Sequence, residues 1–176
     1  EMQRSLVGSE MCIRDRLLLS LSVFIVYLSY TLFSIKMIPI SLSDTYYQLE
    51  KVDKPKWLFQ LCMFLTSALL LPCWLVISPE NIQFLAFLGC GGLLFVSVAP
   101  AFKLPLEGPV HYVSAYISGG CAVLWVLWVG LWYIPVSLLV VALLFTFIKY
   151  KKQVAFLLEL VAIISVFISL LMMYYK

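Results

Sequence analysis

The chain has 176 residues, of which 64% are hydrophobic and 12% charged, with a net charge of +3 and a mean hydropathy of +1.04. A soluble domain holds about 45–50% apolar and about 25% charged residues, so this chain carries more apolar surface than its own core can hide and its solvent is expected to be lipid. Its lysines sit in short polar loops, with no basic face interleaved with aromatics, which argues against nucleic acid as a partner.

The first element is a polar stretch, "EMQRSLVGSEMCIRDR", that holds every Arg of the protein. Leu6 to Asp15 read back into codons as CTC GTG GGC TCG GAG ATG TGT ATA AGA GAC, which matches a transposase adapter used in sequencing libraries. The flanking partial codons suit Ser5 and Arg16. Residues 1–16 are therefore expected to be a translated adapter rather than native chain, and Arg14 and Arg16 before Leu17 only imitate a targeting leader. Residues 17–176 are expected to form one membrane domain.

Six apolar segments follow, at about 17–35, 57–77, 82–99, 110–129, 131–148 and 154–174. Each approaches the ~20 residues that cross a ~30 Å hydrocarbon layer as a helix, the form in which a chain satisfies its own backbone polar groups in lipid. Pro72 falls within the second segment, where it is expected to kink the helix. The fourth and fifth segments have no charge between them. As one helix, Val110 to Ile148 would be about 58 Å long at 1.5 Å per residue, so Gly130 and Pro135 predict a tight hairpin. The expected fold is an all-α integral membrane protein, a six-transmembrane-helix bundle.

The polar residues gather in the first, third and fifth connections, which an even number of spans places on one membrane face. That face carries Lys36, Lys51, Lys54, Lys56, Lys103, Lys149, Lys151 and Lys152, and the other has Lys176. Lysine asymmetry of this kind marks the cytoplasmic side.

Small residues recur in the third and fourth segments: Gly89 and Gly92, then Ser114, Ser118, Gly119 and Ala122. Such residues let helix backbones approach closely in lipid, and this set is expected to pack the two segments as a hairpin. Cys62, Cys73, Cys90 and Cys121 lie inside apolar runs as small packing residues, and no Cys or His spacing suggests a metal. Trp125, Trp128 and Trp132 are expected to anchor one face in lipid, with Trp57, Trp74, Tyr150, Tyr174 and Tyr175 marking other span ends.

Four ionisable residues are candidates for chemistry. His111, the sole His, opens the fourth segment four residues after Glu107, and Asp44 lies in the first connection on the same face, so the three form a candidate polar site at the interface. The alternative is that His111 fixes the hairpin by bonding a loop. Glu159 lies within the sixth segment, about one and a half turns from its Lys-rich end. An ionisable residue inside a span is a functional candidate, although pairing with Lys152 would give it a structural role. No nucleophile elbow, phosphate loop or metal cluster is present in the sequence, and no cofactor is expected.

Two stretches, "PISLSDTYYQLEKVDKPKWLF" and "GCGGLLFVSVAPAFKLPLEGPVHYVSAYISGGC", together about a third of the chain, resemble the six-span damage-regulated autophagy modulator family and its microbial relatives. The resemblance implies a six-span architecture with matching positions at Ser43, Asp44, Thr45 and His111, and it implies that the Ser-Asp-Thr loop lies outside the cytoplasm, opposite to the lysine count. Tyr46 stands where that family has Gly.

The function expected from these features is non-enzymatic: binding of membrane lipids, of another membrane protein or of a second copy. The alternatives are a small transporter or channel using Glu159 and a lipid-modifying membrane hydrolase using His111. Lysine as the main cation with abundant Ile, Phe and Tyr suggests an AT-rich coding sequence, and a bacterial cytoplasmic membrane is the expected location.

Overall fold

The computed structural model describes residues 2–148 and 151–175, with side chains over 12–147 and 151–175. Lys149, Tyr150 and Lys176 lie outside the described residues. The described chain is helical throughout its regular structure: α1 (Met2–Ile35), α2 (Asp44–Lys51), α3 (Trp57–Ile77), α4 (Gln83–Val98), α5 (Glu107–Trp128), α6 (Tyr133–Ile148) and α7 (Val154–Tyr174), with short 3-10 turns before α4 and α7. Among the described residues, five helices are long and apolar enough to cross a membrane: α1, α3, α4 with its leading turn, α5, and α7 with its leading turn. The sixth apolar helix, α6, has 16 residues, about 24 Å at 1.5 Å per residue.

Helix ends follow local chemistry. At the end of α5, Leu131 N–H bonds Val126 C=O and Gly130 N–H bonds Leu127 C=O. This is a Schellman closure with Gly130 at φ +81°, where an L side chain would be strained. The closure consumes Leu131 and Trp132, which is why α6 begins at Tyr133 rather than at residue 131. The same closure ends α2, through Lys54 N–H to Leu49 C=O and Asp53 N–H to Glu50 C=O. Inside α3 the helix runs on through Pro72.

The helices pack as a chain of neighbours, α1 on α3, α3 on α4, α4 on α5, and α5 on α7. In lipid, burial of apolar area between helices gains little, so close van der Waals contact and interhelical hydrogen bonds carry the packing. Ser20 Oγ donates to Thr66 C=O across α1 and α3 at 2.9 Å. Ser67 Oγ donates to Cys90 C=O across α3 and α4 at 2.7 Å. Between α4 and α5 the contact is backbone to backbone: a Cβ on Gly92 would lie 2.7 Å from Ser114 O and 3.0 Å from Ser118 Cβ. α6 is the exception, because it packs along α7 and barely touches α5.

Two apolar clusters fill the interior. One, around Trp74, Trp125 and Phe167, lies towards the second connection; the other, around Phe24, Phe59, Met63 and Phe156, lies towards the first. Trp125 corrects the expectation of a lipid-facing stripe. It is fully buried, edge-on to Trp74 at 5.5 Å, and its Nε1–H donates to Ser78 Oγ at 2.8 Å. Trp128 and Trp132 are exposed. The three do not share a face because Trp132 lies beyond the helix end, and an indole N–H taken out of water needs a partner, which the Ser78 loop supplies.

Candidate functional site

The first and third connections and the start of α7 meet at one end of the bundle. The first connection is knotted by its own side chains. Asp44 Oδ2 accepts Ile40 N–H at 3.4 Å and the Gln48 side-chain amide at 3.0 Å, while Asp44 N–H donates to Ser41 Oγ at 3.1 Å. Thr45 Oγ1 donates to Leu42 C=O, so the 2.6 Å bond to Tyr27 is one that the Tyr27 hydroxyl donates. Asp44 and Thr45 are both buried. Short polar side chains that bond nearby backbone are what fold such a loop.

The folded loop then docks on the start of α7. Phe156 N–H donates to Ile40 C=O at 3.0 Å, and Leu42 N–H donates to Glu159 Oε2. Glu159 is therefore bonded to a backbone amide from the far end of the sequence. Lys152, its expected partner, is exposed, and among the described residues no cation pairs with Glu159.

In the third connection, Glu107 Oε2 accepts Ala101 N–H at 3.2 Å from the first turn of α5, where the helix dipole favours a carboxylate. His111 is buried and bonds Ala99 C=O through Nδ1 at 2.8 Å. A carbonyl only accepts, so Nδ1 carries the proton, and Nε2 is the acceptor of the neutral ring. Phe102 stacks on His111 at 5.1 Å and meets Tyr47 of α2 edge-on at 5.2 Å. Lys103 N–H donates to the Tyr47 hydroxyl at 3.1 Å, and its ammonium lies 4.3 Å from the centre of that ring.

Asp44, Glu107 and His111 thus each tie down a loop. Among the described residues no hydrogen bond joins the three to one another, and the first and third connections are linked through Tyr47, by its ring contact with Phe102, which stacks on His111, and by its contacts with Lys103.

What the loops surround is a cavity. A groove of ≈ 870 Å³ runs between α5, α6 and α7. Its polar end is formed by Ser41, Ser43, His111 and Glu159, and its walls by apolar and small residues. On α5 the lining extends from His111 to Leu127, about 24 Å at 1.5 Å per residue, and Pro135, Val136 and Leu139 of α6 close the far end. The groove exists because α6 leans on α7 and leaves α5 uncovered. A second cavity of ≈ 70 Å³ lies behind it, bounded by Phe59, Met63, Leu93 and Ile163, and Glu159 and Gly119 line both.

The small residues of α4 and α5 divide by role. Gly92 sits against Ser114 and Ser118, and Gly89 against the Trp74 ring, where a Cβ would lie 3.0 Å from the indole. Ala122 is buried in the core beside them. Gly119 and its neighbour Gly120 face open space, with no atom within 4 Å of an added Cβ, and both line the groove.

Sequence reasoning missed Ser41, Phe102 and Gly120 as members of this site, and missed the Leu42 amide. One signal pointed to that amide: a carboxylate within a span needs a donor, and the loops of its own membrane end are the nearest source. Among the described residues no group of three or more His, Cys, Asp and Glu could hold a metal ion. No family model, curated protein or solved structure matches this chain.

Proposed function

We propose that this chain is a six-span membrane protein that holds a membrane lipid in the groove between α5, α6 and α7, without catalysing a reaction on it. The observation that carries the proposal is the groove itself: ≈ 870 Å³ of mainly apolar lining, with Ser41, Ser43, His111 and Glu159 in the lining at one end. A concave apolar site with a few placed polar groups is the usual form of a small-molecule site, and its polarity runs along the helices as that of a lipid does. The sixth span in this reading is α6, whose 16 residues reach about 24 Å and whose lean opens the groove. The resemblance at Ser43, Asp44, Thr45 and His111 supports a shared loop architecture in this reading. The preferred location stays a bacterial cytoplasmic membrane, on the coding argument above.

The test is lipid retention. Protein purified in mild detergent is extracted and its lipids are counted by mass spectrometry, beside a Gly119→Leu variant that fills the groove without meeting a neighbouring atom at Cβ. Native protein is expected to keep about one lipid per chain and the variant to lose it. Equal retention by the two, or none by the native protein, refutes the reading.

A second reading, ion passage past Glu159, draws on the place of this residue between the two cavities. Flux into liposomes with Glu159→Gln as control separates it from lipid binding, since flux equal to that of empty vesicles removes it for the ions tried.

A further inference from the structure

Resting on the groove as a lipid site, we propose that its occupant carries a primary-amine headgroup, seated against Glu159 and His111. The argument is an inventory of hydrogen-bonding capacity at the polar end. Glu159 brings two carboxylate oxygens, of which Oε2 accepts Leu42 N–H and the other has no partner among the described residues. His111 spends its N–H on Ala99 C=O and keeps Nε2 as an acceptor. Ser41 Oγ already accepts Asp44 N–H. Glu159 and His111 thus offer open acceptors, beside the Ser41 and Ser43 hydroxyls, which can donate as well as accept.

The charge points the same way. Among the described residues, the lining holds one carboxylate and no Lys or Arg. The ion pairs among the described residues, Arg14–Asp15 and Lys56–Glu50, leave Glu159 without a cation. A charge inside a span is costly unless paired. An ammonium entering the groove provides the missing cation and up to three donors for the open acceptors. Aromatic rings complete the setting: Phe102, Tyr112 and Tyr116 line the same groove, and ring faces attract a cation. A phosphate or carboxylate head placed there meets Glu159 as a like charge.

The experiment offers wild-type protein, in detergent, lipids with identical acyl chains and three headgroups: ethanolamine, choline and glycerol phosphate. Retention is read by native mass spectrometry. A hydrogen bond to an ionised partner is stronger than a neutral one, so ethanolamine lipid is expected to be retained about tenfold or more over each of the others. Glu159→Gln is expected to abolish that preference while still binding acyl chains, because its amide oxygen still accepts Leu42 N–H. Equal retention of the three headgroups by wild-type protein overturns the amine assignment and leaves the groove reading standing. A choline preference, or a preference unchanged in Glu159→Gln, also overturns it. If no lipid of any headgroup is retained, the groove reading fails and this assignment falls with it. The wild-type comparison decides the matter even if the variant does not fold.

Discussion

Gly92 and Gly119 lie on facing helices of one hairpin, and the structure gives them opposite roles. A methyl at Gly92 would stand 2.7 Å from Ser114 O and 3.0 Å from Ser118 N, both backbone atoms of α5 that no rotamer change can remove. The helices must part by several tenths of an ångström to restore ordinary contact, and this loosens dispersion contacts along the tightest seam of the bundle. Overpacking of this kind costs about 1–3 kcal/mol. A methyl at Gly119 meets nothing within 4 Å, and replacing Gly with Ala in a helix interior gains up to about 1 kcal/mol. Gly92→Ala is therefore expected to destabilise the protein and Gly119→Ala to leave it unchanged or stabilise it, with a separation of at least about 1 kcal/mol. Denaturant titration in mild detergent, followed by helical circular dichroism, measures the difference. A Gly92→Ala protein as stable as Gly119→Ala would refute the assignment of contact to one glycine and space to the other.

Other outcomes follow from single contacts. Ser78→Ala leaves the buried Trp125 Nε1–H without its acceptor and is expected to cost about 1–3 kcal/mol. In a double-mutant cycle with Trp125→Phe the two losses should not add, and additivity would show that the bond contributes nothing. Glu159→Leu orphans Leu42 N–H and is expected to expose residues 36–43 to protease, whereas Glu159→Gln protects them. Equal cleavage of both variants would count against the docking of this loop on α7. Gly130→Ala forces an L side chain to φ +81° with no steric neighbour. Its cost, about 1–2 kcal/mol by the same titration, should be purely conformational, and an unchanged midpoint would contradict the Schellman closure.

The helices were legible in the sequence where apolar runs end in charge or Pro. Trp57–Ile77 and Val154–Tyr174 coincide with the runs at 57–77 and 154–174, because lipid imposes helix on any such segment. The hairpin after α5 was legible from Gly130, though not its two-residue cost to α6. The α2 helix was hidden: its eight residues, Asp44–Lys51, carry too few apolar positions to stand out, and the buried Asp44, Thr45 and Leu49 reveal its inner face only in the structure. The candidate residues were legible by type, since ionisable groups near lipid are conspicuous. Their partners were not. Glu159 bonds a backbone amide 117 residues away, and a backbone amide has no residue-type signature. The groove was illegible for a similar reason. Small residues read equally as contact or as space, and only the lean of α6 decides that Gly119 and Gly120 mean space.

The tie between Leu42 and Glu159 also sets an order of events during synthesis. Chains fold from the N-terminus as they emerge, and Ile40 and Leu42 emerge long before Phe156 and Glu159. Until α7 arrives, the Ile40 carbonyl and the Leu42 amide must bond water, which holds their loop at the aqueous boundary. Insertion of the last helix closes both bonds together, so the mouth of the groove is finished only when the whole chain is in the membrane. A chain stopped before Phe156 has α5 and α6 but lacks the α7 wall of the groove, so in the lipid-binding reading proposed above the site is completed last.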